Sequence, residues 1–310
     1  MTSRGLGELP RIGPAVITLG VFDGVHLGHR HVIQATMREA HQRGVASVAL
    51  VFSPHPDEVI RPDIRVERLL PPEVTLERLR MAGVDHALEI RFDGALRSME
   101  PEAFLAALAP AIELRAITMT PDSAFGRARA GTLARISELG AANGWDCIAV
   151  EPLIVDGRVV SSSRIRDALR DGETESAGSL LGSAPFLRGS VVHGDERGRG
   201  LGFPTANLAF NYSAALPALG IYLGRVHVPH RNVGPDHPAL VSVGVRPTFH
   251  DDGRVLVEVY LLDWDGDLYD ATLDLELDAR LREERRFQSV DSLVAQMHVD
   301  EADARRRLRP

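Results

Sequence analysis

The 310-residue sequence holds a single cysteine, Cys147. One thiol can neither close an intramolecular disulfide nor supply a thiolate metal cluster, so the expected setting is a reducing compartment, the cytoplasm. Long apolar runs are also missing, and nothing approaches the ~20 consecutive apolar residues of a membrane span. The opening MTSRGLGELPRIGPAVITLG is broken by two prolines and is expected not to form the core of a signal peptide. No long polar or Pro/Ser/Gly-rich tract is present, so the chain should be folded throughout. Basic charge is in deficit: 35 Lys and Arg stand against 43 Asp and Glu, for a net charge of -8. Binding to nucleic acid or to an anionic membrane needs an excess of Lys and Arg on one face, so neither is expected as a partner. Anionic ligands must instead be gripped by local devices.

What is present divides in two. At 310 residues the chain exceeds the usual size of one domain. In the first part, β-branched apolar runs (Ala15 to Leu19, Val45 to Phe52, Val84 to Ile90, Ala116 to Met119, Cys147 to Val150) alternate with stretches of helical spacing. The latter run from about Gly28 to Arg43, Val74 to Met81, Pro101 to Leu108, Thr132 to Asn143 and Ser162 to Arg170. Strand, helix, strand within about forty residues is a βαβ unit, and its repetition predicts a doubly wound α/β domain. Ligands of such folds sit beyond the carboxyl ends of the strands. After Gly182 the pattern changes to short alternating stretches between Gly, Pro and Asp turns, which predicts an antiparallel barrel or sandwich, with a helical tail from about Val290 to Leu308. The predicted domains are 1–182 and 183–310, and no internal repeat is evident.

The segment Gly20-Val-Phe-Asp-Gly-Val-His-Leu-Gly-His29 lies at the first strand-to-helix turn, where free N–H groups and the helix dipole favour an anion. His26 and His29, with Gly28 between them, could face one phosphate chain while the backbone comes close. An isolated H-x-G-H would more often be a cap or a surface feature; the strand-turn-helix context is what raises it. Ser161-Ser-Ser-Arg-Ile-Arg166 opens a later helix, where hydroxyls can cap N–H groups and Arg164 or Arg166 can reach a phosphate. By itself this is a capped helix with solvated arginines.

The second part begins with the glycine-rich run Gly189 to Asn207, a composition that fits either a phosphate-wrapping loop or simple tight turns. Within it, Pro204-Thr-Ala-Asn207 offers a hydroxyl and an amide oxygen on one side of an extended chain, hard oxygens of the kind Mg²⁺ accepts. Alone it could equally be a capped turn. Glu258 falls on a predicted strand, on the face of Leu256, Tyr260 and Leu262. A carboxylate on a mostly apolar face is a candidate general base.

These motifs carry a resemblance. GVFDGVHLGH, the FSPHP of Phe52 to Pro56, and SSSRIR resemble the FMN adenylyltransferase module of bacterial bifunctional riboflavin kinase/FAD synthetases, over most of residues 13 to 182. GDERGRGLGFPTANL, GIYLGRV, SVGVRPTF, VEVYLLDWDGDLYD and LREERRFQSVDSLVAQMHVD resemble the riboflavin kinase domain, over residues 185 to 308. The resemblance implies a Rossmann-like nucleotidyltransferase domain, then a Greek-key β-barrel with a terminal helix. The implied activity is phosphorylation of riboflavin and adenylylation of FMN, with ATP as substrate and Mg²⁺ in both steps.

By the same resemblance His26 and His29 would stabilise the ATP phosphates; Gly20, Phe22, Asp23, Gly28, Ser162, Ser163 and Arg164 would line the ATP site, Asp23 in a structural or supporting place. Phe52, His55, Pro56, Asp122 and Phe125 would border the flavin there. In the second domain Glu258 would be the base, Thr205 and Asn207 the Mg²⁺ and phosphate ligands, Gly194, Arg199 and Gly202 part of a nucleotide flap, and Arg285 and Phe287 neighbours of the flavin. Two departures stand out. Met119-Thr-Pro-Asp-Ser-Ala-Phe-Gly126 replaces a pattern like V-G-x-[DN]-F-x-F-G, and Tyr260 stands where histidine is usual. The first keeps a kinase-only reading open; a non-catalytic flavin or nucleotide sensor is the reading from another class. A monomer or weak homo-oligomer is expected.

Overall fold

The computed structural model describes residues 4–194, 200–229, 231, 233–245 and 255–308. The chain packs as two compact units, 1–66 with 72–161, and 67–71 with 162–310.

The first unit is built on a five-stranded parallel sheet: β1 (Gly13–Gly20), β2 (Ala46–Ser53), β3 (His86–Arg91), β4 (Ile112–Met119) and, after the two-residue strands β5 (Ala124–Phe125) and β6 (Gly131–Thr132), β7 (Asp146–Ala149). The order is β3-β2-β1-β4-β7, so the winding reverses between β1 and β4. A reversal of this kind leaves a crevice at the carboxyl ends of the two strands, because the connections leave on opposite faces. Helix α1 (Leu27–Arg43) covers one face, its Ala40 against Val16 and Ala116. On the other face Ala15 and Ile17 join Phe104 of helix Pro101–Leu108 and Ile136 of helix Leu133–Asn143 in the main core. Odd and even residues of β1 thus serve opposite layers, which is why the run reads as continuously apolar. A buried hydroxyl pair, Thr36 and Thr118 with oxygens 2.6 Å apart, ties α1 to β4.

The second unit is a closed six-stranded barrel. Its strands, after the small hairpin of β8 (Ile154–Val155) and β9 (Arg158–Val159) in the first unit, are β10 (Phe186–Val192), β11 (Ala206–Ala209), β12 (Gly220–Val228), β13 (Val233–Val245), β14 (Val255–Leu261) and β15 (Thr272–Glu283). They close in the order β10-β11-β14-β13-β12-β15, with every pairing antiparallel. The chain leaves β11 for β12 three strands away and makes the same leap from β14 to β15, the Greek-key form. Inward residues such as Val191, Leu208, Val241, Val257, Val259 and Leu275 fill the interior. Outward residues Leu223, Leu240 and Leu262 meet Ala304 of the terminal helix Val290–Arg307.

The described structure bears out the predicted parallel sheet, the barrel and the helical tail. It adds elements the pattern did not announce, among them helix Thr174–Leu181 and the small hairpins.

Candidate active sites

In the first unit, β1 ends at Gly20 and the chain turns sharply into α1. Phe22, Gly24 and Val25 take φ values of 53°, 88° and 41°. Left-handed backbone at a bulky or β-branched residue is strained and persists only where the surroundings hold it. Phe22, Asp23, Val25 and His26 are all buried. His26 caps the helix, its Nδ1 accepting the backbone N–H of His29 at 3.2 Å. The two imidazoles stack with centroids 3.6 Å apart, and Phe22 meets His29 edge-on at 5.3 Å. Gly28 is closely packed here: a Cβ would lie 3.0 Å from the Val160 carbonyl and 3.1 Å from the His26 ring.

Burial, with the charge of His26 adding to it, holds His29 well below the usual histidine range. His29 Nδ1 is buried and, among the described residues, has no hydrogen-bond partner. A buried polar atom without a partner costs free energy, and an incoming ligand atom could recover it.

The remaining predicted residues of this unit are spread around the same sheet. Phe52 and Phe125 are buried core residues that both touch Phe104, at 6.3 and 5.3 Å between centroids. His55 caps the short helix Pro56–Ile60, its Nδ1 accepting the Asp57 N–H at 3.1 Å, with Pro56 in the first turn. Asp122 lies in the turn after β4; this turn is closed by the Ser123 N–H on the Thr120 carbonyl at 3.0 Å and by their hydroxyls 2.7 Å apart. The departing residues Thr120 and Pro121 therefore build a regular turn. Ser162, Ser163 and Arg164 open helix Ser162–Arg170, which belongs to the second unit. Arg166, expected as an alternative phosphate ligand, donates from Nε to the Glu67 carbonyl at 2.5 Å.

In the second unit the strand register does what the sequence could not. Asn207 on β11 lies directly opposite Glu258 on β14, and Glu258 directly opposite Ser242 on β13. Residues opposite each other in antiparallel strands point to the same side with Cβ atoms about 5 Å apart. The inward neighbours Ala206, Leu208, Val257 and Val259 are buried in the barrel core, so Asn207 and Glu258 share its outer face. Thr205 is half-buried, two residues before Asn207 in the segment leading into β11. Gly194 sits against Asn207: a Cβ there would be 2.2 Å from Asn207 Nδ2 and 2.8 Å from its Cγ. Gly202, at φ 85°, turns the chain before Phe203. Arg199 lies outside the described residues. Arg285 is exposed and Phe287 half-buried, in the extended segment before the terminal helix, where the Arg282 guanidinium lies 5.9 Å over the Phe287 ring.

Sequence reasoning missed the ring pair Phe203 and His298, whose centroids are 5.1 Å apart. Nothing in spacing could bring together residues so distant in the chain. It also missed how close Gly194 lies to the Asn207 amide.

The comparisons with known proteins divide where the chemistry does. A family model for FAD synthetase matches residues 10–164, and one for riboflavin kinase matches residues 181–308. A bifunctional riboflavin kinase/FMN adenylyltransferase of Listeria monocytogenes is 35% identical over 292 residues, 94% of this chain and 91% of the relative. One from Escherichia coli K12 is 35% identical over 307 residues, 97% of this chain and 95% of the relative. A solved structure from Streptococcus pneumoniae, described as a macrolide-efflux protein, covers 97% of both chains with a TM-score of 0.86 and 30% identity. Among the described residues no helix is long and apolar enough to cross a membrane. With a match on each half and near full-length relatives that join both halves in one chain, the protein belongs to the bifunctional riboflavin kinase/FMN adenylyltransferase family.

Proposed function

We propose that the barrel transfers the γ-phosphoryl group of ATP to riboflavin, giving FMN, and that the parallel-sheet domain transfers AMP from a second ATP to FMN, giving FAD and pyrophosphate. The functional division falls between residues 182 and 183, the protein acts in the cytoplasm, and it acts as a monomer or weak homo-oligomer. The observation that supports the kinase assignment best is the direct cross-strand pairing of Asn207 with Glu258 on the outer barrel face.

The two reactions differ in proton demand, and the two sites differ accordingly. Riboflavin's ribityl hydroxyl must lose a proton as it attacks, and Glu258 is the base that takes it. The alkoxide-like oxygen then displaces ADP from the γ-phosphorus. Hydroxyl and amide oxygens are hard ligands that suit Mg²⁺, so Thr205 Oγ1 and Asn207 Oδ1 would hold the ion, which when bound neutralises phosphate charge. Gly194 and Gly202 lie on the nucleotide side, and Arg285 and Phe287 border the isoalloxazine.

FMN's phosphate, with a second pKa of about 6, is already a nucleophile at neutral pH, so the adenylyltransferase needs no base. Its work is positioning and charge stabilisation. His26 and His29 meet the ATP phosphates at the start of α1. Because His29 enters neutral, it first acts as a hydrogen-bonding group and becomes a better proton acceptor as the phosphate charge arrives. Gly20, Phe22, Asp23 and Gly28 shape that turn. Phe52, His55, Pro56, Asp122 and Phe125 form and back the flavin pocket.

Product analysis tests this reading. Purified protein given riboflavin, ATP and Mg²⁺ should form FMN first and then FAD. Accumulation of FMN without FAD, at high FMN and across pH, would leave a kinase alone. Tight flavin binding without turnover would leave a sensor.

A further inference from the structure

Phe203 stands two residues before Thr205 and four before Asn207, and it is buried although it does not belong to the barrel core. Its ring is held between two others, the edge-to-face Tyr260 at 5.2 Å and His298 at 5.1 Å. Tyr260 is on β14, two residues beyond Glu258; His298 is on the terminal helix Val290–Arg307. Two residues further along that helix, Asp300 takes the Arg282 guanidinium in a part-buried two-pronged contact, Nε to Oδ1 at 2.8 Å and Nη2 to Oδ2 at 2.6 Å. The helix that carries His298 is thus anchored to β15. Between Phe203 and Thr205 lies Pro204, whose ring fixes its own φ and restricts Phe203 to extended backbone. A displacement of the Phe203 ring is therefore passed to Thr205 rather than absorbed.

We propose that Phe203, clamped between Tyr260 and His298, is a positioning residue that sets Thr205 and Asn207 for the metal–nucleotide complex, and that the terminal helix is thereby part of the kinase site. The inference rests on the assignment of Thr205 and Asn207 made above. It gives the terminal helix a function beyond covering apolar strand surface: it buttresses the phosphate side of the site.

The test measures riboflavin phosphorylation by the full chain as a function of Mg²⁺·ATP and of riboflavin. His298 is 65% exposed by side chain, so H298A should fold. H298A should raise the KM for Mg²⁺·ATP about fivefold, the size expected for one lost ring contact, with kcat within about twofold and the riboflavin KM unchanged. H298F keeps a ring and should restore the wild-type value. F203L should shift the same KM further, about tenfold or more; should F203L fail to fold, H298A and H298F decide the matter. Unchanged Mg²⁺·ATP dependence in H298A, or an equal loss in every kinetic parameter that tracks melting temperature, overturns the positioning role. T205A and N207A separate the two levels. If they leave the Mg²⁺·ATP dependence untouched, the ligand assignment itself is wrong; if they raise it while H298A does not, only the role of the ring clamp is wrong.

Discussion

Replacing Gly194 with alanine adds one methyl group beside the Asn207 side chain. The added Cβ would fall 2.2 Å from Asn207 Nδ2 and 2.8 Å from Asn207 Cγ, where ordinary contact begins near 3.4 Å. Relief requires a movement of about an ångström, either of the Asn207 amide or of the backbone at Gly194. Asn207 is the end of a flexible side chain, so it yields at little cost to the fold. It cannot yield at little cost to the reaction, since it faces Glu258 across the strand pair. A misplacement of this size at a reacting centre costs about 100-fold in rate, or roughly 2.7 kcal/mol of transition-state stabilisation.

The assay is kinase turnover in G194A, N207A and the double variant, with FAD formation from supplied FMN as an internal control. G194A should lose about 100-fold in riboflavin phosphorylation, keep its melting temperature and form FAD normally. In the N207A background the obstacle to the new methyl is gone, so G194A should add little further loss. Fully multiplicative effects of the two substitutions would refute the reasoning, because the damage would then not pass through Asn207.

Glu258→Gln should lower the kinase rate at least ~100-fold and remove the acid limb of its pH profile, while FAD formation from FMN persists. His29 is depressed below its unfolded value, so the unfolded chain takes up the proton first and stability is lost as the pH falls from about 6.5 toward the folded value. Thermal melts between pH 7.5 and 5 should therefore decline less steeply for His29→Gln than for the wild type. Asp300→Ala takes the carboxylate partner from the half-buried Arg282 guanidinium; denaturant unfolding of the full chain should show a loss of about 2 kcal/mol, and the double variant Arg282→Met with Asp300→Leu should recover part of it.

Much of the fold was legible because it is written in local periodicity. The β1 and β2 runs, the glycine stop after Arg43 and the alternating strands after residue 182 follow from chemistry within a few residues of one another. The turn into α1 was legible for the same reason: His26, Gly28 and His29 are neighbours in the chain, at the cap and in the first turn of one helix. Phe52 and Phe125 show the limit, since an aromatic motif residue reads the same in a sequence whether it packs a core or lines a pocket.

The sequence by itself determined which residue types are available: two histidines at a helix start, hard oxygens in a proline-stiffened segment, one carboxylate on an otherwise apolar strand face. Only the tertiary structure decided that Asn207 and Glu258 are partners, that Gly194 lies against the Asn207 amide, and that His298 reaches Phe203. The physical reason is barrel closure. Register between strands distant in sequence is set by the packing of the whole interior and by the Greek-key connections, a property of the assembled barrel that no short stretch of the chain contains.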